Sequence, residues 1–124
     1  MQKGRSLFRE HPEYRVELEP SAERIRIRFG GEVVADSQRT LIVRETKHDP
    51  VVYFPKQDVV AERLEPTEHS SFCQFKGEAS YWTIRVGDQV AENAVWSYAD
   101  PFEEVAGLAD HVAFYPDRVQ WERG

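Results

Sequence analysis

The sequence predicts a mainly β protein, a single compact antiparallel-sheet or barrel-like domain with two short helical segments. Two observations predict it. ERIRIRF, residues 23–29, alternates Arg24, Arg26 and Arg28 with Ile25, Ile27 and Phe29, the period of two that marks a half-buried strand. Along the rest of the chain, short runs rich in Val, Ile, Tyr and Trp recur between glycine, proline and aspartate turn signals. They amount to about eight strands. A length of 124 residues suits one domain.

The elements follow in order. Residues 1–13 are polar and charged and end at His11-Pro12, which predicts a flexible N-terminal arm ahead of an all-β domain over residues 14–124. After the alternating strand, Gly30-Gly31 permits a tight hairpin and EVVA, 32–35, returns. LIVRE, 41–45, and VVYF, 51–54, read as strands around the turn-like TKHDP. Asp58 then caps a predicted short helix over 59–64, which Pro66 closes. EASYWTIRV, 78–86, is a long strand, GDQ turns it, and ENAVWSYA, 92–99, comes back. DPFEEVAGL is a second short helical piece. HVAFY and RVQW form a final hairpin about Pro116-Asp117.

Charge and composition narrow the function. Acidic residues outnumber basic ones, 22 to 16, and the net charge of −6 argues against a nucleic-acid or anionic-membrane surface. No apolar run approaches the ~20 residues that span a bilayer. The N-terminal residues lack the apolar core of a secretory signal. One cysteine allows no internal disulfide, so the expected compartment is the cytoplasm.

The ordered segments ET (45–46), VVYFPKQDV (51–59), CQFKGEASYW (73–82), AVWSYADP (94–101) and VAFYPDRV (112–119) resemble domain-of-unknown-function family 427. This is a widespread bacterial family sometimes labelled nucleotidyltransferase-like. The resemblance spans about residues 22–121 and implies a compact, β-tent-like all-β fold with no established activity. Nucleotidyl transfer needs clustered carboxylates for divalent metal and amides or cations around phosphate. The tight acidic pairs, Glu103-Glu104 and Glu17-x-Glu19, accompany no phosphate-binding glycine loop, so the label finds no support in the residues.

Chemistry concentrates around CQFKGEASYW. A nucleophilic thiol needs a cation and usually a base; Cys73 has Lys76 and His69 near in sequence, yet lies between Phe72 and Phe75 as a small apolar filler would. It is assigned to packing. A single thiol with scattered histidines lacks the paired spacing of a zinc site, and no metal or other cofactor is expected. Lys76, ahead of the long strand, either binds an anion or serves as a surface lysine with Gly77 supplying a turn. Glu45 either pairs with Lys76 or faces a pocket as an acid or base. Trp82, Trp96 and Tyr98 form an expected aromatic wall, and the arginine stripe an outer solvated face.

The function these residues predict is binding of a small polar or anionic ligand in an aromatic-lined concavity between the sheets. Glu45, Tyr53, Lys76, Tyr81, Trp82, Trp96 and Tyr98 surround it. Two other classes stand beside it: an enzyme with Cys73 or Lys76 as nucleophile and Glu45 or a histidine as base, and a self-associating module, as a homodimer, built on sheet edges.

Overall fold

The computed structural model describes residues 6–124, and among these ten strands form two antiparallel sheets. The strands are β1 (Val16–Ser21), β2 (Ile25–Phe29), β3 (Glu32–Ser37), β4 (Thr40–Glu45), β5 (Val51–Pro55), β6 (Leu64–Cys73), β7 (Gly77–Val86), β8 (Gln89–Ser97), β9 (His111–Phe114) and β10 (Gln120–Arg123). The large sheet has the order β1-β4-β5-β9-β8-β7-β6 and the small one β10-β2-β3. The fold is mainly β, as the alternation predicts. Neither sheet closes into a barrel; the large one ends on β1 and β6.

The two sheets trap a hydrocarbon core. Ile25, Ile27, Val34 and Ala35 from the small sheet meet Phe54, Ile84, Val95, Val112 and Phe114 from the large one. Phe54 and Phe114 are fully buried and pack edge to face at 5.5 Å, each burial contributing about 1.5–3 kcal/mol. The sheets are also tied through the backbone by the Ala35–Val59 bridge and by Val60 N–H donating to the Val34 carbonyl at 2.8 Å. On the outer face of the small sheet, Arg24 and Arg26 pair with Asp36, and Arg28 with Glu122. The arginine stripe is therefore a solvated face neutralised by cross-strand carboxylates, whose exposed pairs are screened by solvent and add little to stability.

Four expectations need correction. Residues 59–64 are not a helix. Two 3₁₀ turns, Lys56–Asp58 and Ala61–Arg63, flank an extended Val59 held against Ala35, and Leu64 opens β6. Pro66, expected to close that helix, instead lies within β6, an edge strand, where a missing N–H costs no ladder bond on the free side. β1 is missing from the expected strands, although Val16 and Leu18 alternate with Glu17 and Glu19. The last two strands are no hairpin: β9 sits between β5 and β8, while β10 crosses to pair with β2.

The expected N-terminal arm falls partly on residues 1–5, which lie outside the described residues. From Ser6 onward it touches the turn between β6 and β7. Leu7 N–H donates to the Gln74 carbonyl at 3.0 Å, Phe8 meets Phe75 edge to face, and Ser6 Oγ donates to Glu104. Among the described residues no helix is long and apolar enough to cross a membrane.

Candidate functional site

A second cluster lies on the opposite face of the large sheet, away from the small one. Register explains it. Leu41, Tyr53, Ala113, Trp96 and Tyr81 stand directly across from one another on β4, β5, β9, β8 and β7, so their side chains share one face. Ala113 is the small residue in this row. Above it Trp96 Nε1 reaches across β9 and donates to Tyr53 Oη at 3.1 Å.

This aromatic row floors a cavity of about 710 Å³. Two loops complete it. Glu45 arrives at the end of β4, and the β6–β7 turn brings Cys73, Phe75 and Lys76. Gly77 is required at that turn. Its φ of +119° suits no side chain, and a Cβ would come within 3.4 Å of the Asp100 carbonyl oxygen. The Lys76 carbonyl accepts from Phe102 N–H at 3.0 Å, which fixes the turn against the segment after β8.

The polar groups form one connected chain. Lys76, only 8% exposed, donates through Nζ to Glu45 Oε1 at 2.5 Å and to Cys73 Sγ at 3.5 Å. Tyr14 Oη donates to the other carboxylate oxygen of Glu45. The Tyr14 ring stacks on Phe75 at 3.9 Å between centroids, so the N-terminal segment and the β6–β7 turn hold each other in place. Burial alone would raise the Glu45 pKa, but the Lys76 and Tyr14 hydrogen bonds and the Lys76 charge outweigh it, and the carboxyl titrates below its usual range. His48, largely exposed, lies 3.9 Å from the same carboxylate.

The phenols carry the opposite shift. Burial raises the pKa of Tyr14, Tyr53 and Tyr98, with Glu45 adding to each, and burial plus a bond to Tyr81 raises that of Tyr115. These four stay neutral donors at physiological pH. Tyr81 Oη shares a 2.8 Å hydrogen bond with Ser71 Oγ. Tyr98 is 7% exposed, lines the cavity, and among the described residues its hydroxyl makes no hydrogen bond.

Six of the seven residues expected at the site come together here: Glu45, Tyr53, Lys76, Tyr81, Trp96 and Tyr98. Trp82 does not. It stands across from Val95 on the inter-sheet face, under the ammonium of Lys56 at 5.5 Å from the ring centroid. The cavity is likewise not between the sheets, where hydrocarbon fills the space, but on the far side of the large sheet. Sequence reasoning passes over Tyr14, Phe75 and Tyr115; Cys73, assigned to packing, does pack half-buried against the Tyr53–Tyr81–Tyr98 cluster and also lines the cavity beside Lys76. One signal was available: the chain has five tyrosines and all five line this cavity. Among the described residues no group of three or more His, Cys, Asp or Glu is placed to hold a metal ion.

Comparison with known sequences agrees with the motifs. The profile of the family described as Domain of unknown function (DUF427) matches residues 17–123. No curated protein matches the chain. The chain belongs to the DUF427 family.

Proposed function

We propose that this cavity binds a small polar or anionic molecule that presents carboxylate, carbonyl or phosphate oxygens. The observation that carries the reading is the convergence of all five tyrosines and one buried lysine on a single space of about 710 Å³, within the roughly 300–1,000 Å³ of small-molecule sites. Hydrogen-bond accounting gives the polarity. An ammonium has three N–H groups, and Lys76 spends them on Glu45 and Cys73 with one left. Tyr53 Oη accepts from Trp96, so its own hydrogen is free to point elsewhere. Tyr98 has its hydrogen to give as well. The carboxylate of Glu45, by contrast, already accepts on both oxygens. In the buried part of the cavity the free donors of Lys76, Tyr53 and Tyr98 exceed the acceptors, with the Asp49 carboxylate at its exposed rim, and the ligand supplies the missing acceptors.

The test is thermal-shift and calorimetric titration of the purified protein with a panel of small carboxylates, phosphates and neutral polyols, with mass spectrometry of any co-purified molecule. An acceptor-rich compound is expected to bind and to raise stability by about 2.7 kcal/mol at a concentration of 100 Kd. Lys76→Met is expected to abolish that response for anions. A response to none of the panel, with no co-purified molecule, or anion binding that survives Lys76→Met, defeats the reading.

A further inference from the structure

We infer that Cys73 is a catalytic nucleophile that takes an acyl group from a small carboxylic ester or thioester, with the hydroxyls of Tyr98 and Tyr53 receiving the developing oxyanion. The inference rests on the cavity binding acceptor-rich molecules, and it adds a covalent step.

Two independent observations support it. The first is the chain Tyr14–Glu45–Lys76–Cys73, which ends on a thiol at the cavity wall. Burying an ammonium and a carboxylate carries a desolvation cost that hydrocarbon in their place would avoid. A cysteine that merely fills space has no use for a charged neighbour 3.5 Å from its sulfur. A thiol that must lose and regain a proton does, because Lys76 bridges it to Glu45 and so connects sulfur to a carboxylate. The second observation is Tyr98. Its hydroxyl lies in a side chain more than nine-tenths buried, lines the same cavity, and has no partner among the described residues. The hydroxyl oxygen opens to the cavity, unlike the fully buried Thr40 Oγ1 and Ser97 Oγ, so its hydrogen is available to a substrate oxygen. Tyr53 adds a second donor of the same kind, fixed in orientation by Trp96. Neutral phenols placed before any charge develops are the arrangement that stabilises an oxyanion.

The step balances as follows. Sγ attacks the acyl carbon; a C–S bond forms and the carbonyl π pair moves to oxygen, which accepts from Tyr98 and Tyr53. The oxyanion collapses and the bond to the alcohol or thiol leaving group breaks. As sulfur attacks, the thiol proton goes to Lys76 Nζ while Lys76 hands one of its own to the Glu45 carboxylate, and the leaving group takes that proton back along the same path. Water then attacks the thioester. A C–O bond forms, the C–S bond breaks, one proton of the water stays on the carboxylic acid that leaves, and the other passes to sulfur to restore the thiol.

The probe is p-nitrophenyl acetate with the full chain, read by nitrophenolate release and by intact-mass and peptide mapping. An initial burst of one nitrophenolate per chain is expected, with the acetyl group on Cys73, and no burst from Cys73→Ala. Tyr98→Phe keeps the ring, and far-ultraviolet circular dichroism checks that it folds. It is expected to slow acetylation by about 100-fold and to leave alkylation of Cys73 by iodoacetamide, which develops no oxyanion, unchanged. Acetylation of Cys73 no faster than of glutathione, acetyl found on Lys76 instead, or equal slowing of both reactions in Tyr98→Phe overturns the inference. If the ligand panel binds while Cys73 acetylates no faster than glutathione, the binding reading stands and this one alone falls.

Discussion

On one face of the large sheet, Phe54, Ile84, Val95 and Phe114 press against the small sheet as a hydrocarbon core; on the other, Tyr53, Tyr81 and Tyr98 stand around a cavity with a buried ion pair at its edge. The residues involved are chain neighbours. Tyr53 precedes Phe54 and Tyr81 precedes Trp82, and each pair divides between the two faces because successive strand side chains point in opposite directions. The first face is closed hydrocarbon; the second has its own packed cluster around Val43, Phe102, Val105 and Leu108, and beside it polar groups whose hydrogen-bonding capacity is not used up within the fold.

That division is open to attack in decreasing order of effect. Phe54→Ala should be the most damaging, costing about 3–5 kcal/mol as a buried aromatic truncated in a closed core. Equilibrium urea denaturation measures it. A loss under about 1 kcal/mol would mean that the inter-sheet core is not the stabilising one.

Lys76→Met comes next. It leaves the Glu45 carboxylate in a largely buried site without its cation, which costs about 3 kcal/mol for a well-buried pair. Replacing both partners, Lys76→Met with Glu45→Gln, removes the stranded charge and should recover most of that loss. If the double variant is no more stable than the single one, the pair is not energetically coupled.

Acid titration is a third, smaller probe. The folded pKa of Glu45 lies below its unfolded value, so its contribution is complete above the ordinary carboxylate range and is lost as pH falls through the folded pKa. Asp36, Asp58 and Glu122 are depressed too, chiefly by their arginine partners, but at the exposed edges of the molecule. High salt should therefore flatten the acid limb they cause and leave the part due to Glu45, which faces Lys76, Tyr14 and His48. Glu45→Gln should remove that residual part. Stability measured against pH at low and high salt, in parent and variant, separates the two.

The smallest effect on stability belongs to Tyr98→Phe. The lost hydroxyl has no partner to strand, so denaturation should shift by less than about 1 kcal/mol. A larger destabilisation would show that the hydroxyl serves the fold rather than a ligand.

Much of this is legible in the residues alone. Alternation in residues 23–29 and the runs at 51–54 and 78–86 indicate strands, and β-branched and aromatic residues at those spacings have few other solutions. Glu45, Tyr53, Lys76, Tyr81, Trp96 and Tyr98 are recognisable as aromatics and charges drawn from separate strands. The errors fall where local pattern is silent. β6 carries LEPTEHSSFC, polar and mostly exposed, and is a strand because β7 supplies its ladder. Trp82 goes to the wrong wall because alternation on one strand divides its residues into two sets without saying which set faces which neighbour.

By itself, then, the sequence determined the β class, the alternating faces and the presence of a lysine–aromatic segment around 73–82, since those follow from local sterics and side-chain period. Only the tertiary structure decided that Tyr14, just after the arm, stacks on Phe75, that Glu45 meets Lys76 across 31 positions, and that Cys73 ends the chain of hydrogen bonds. Those contacts depend on strand order and register, which no residue's own preference encodes. The order β4-β5-β9-β8-β7 places Tyr53 and Tyr81 in one row, and the same order puts the small sheet on the opposite side, leaving this face free for a cavity.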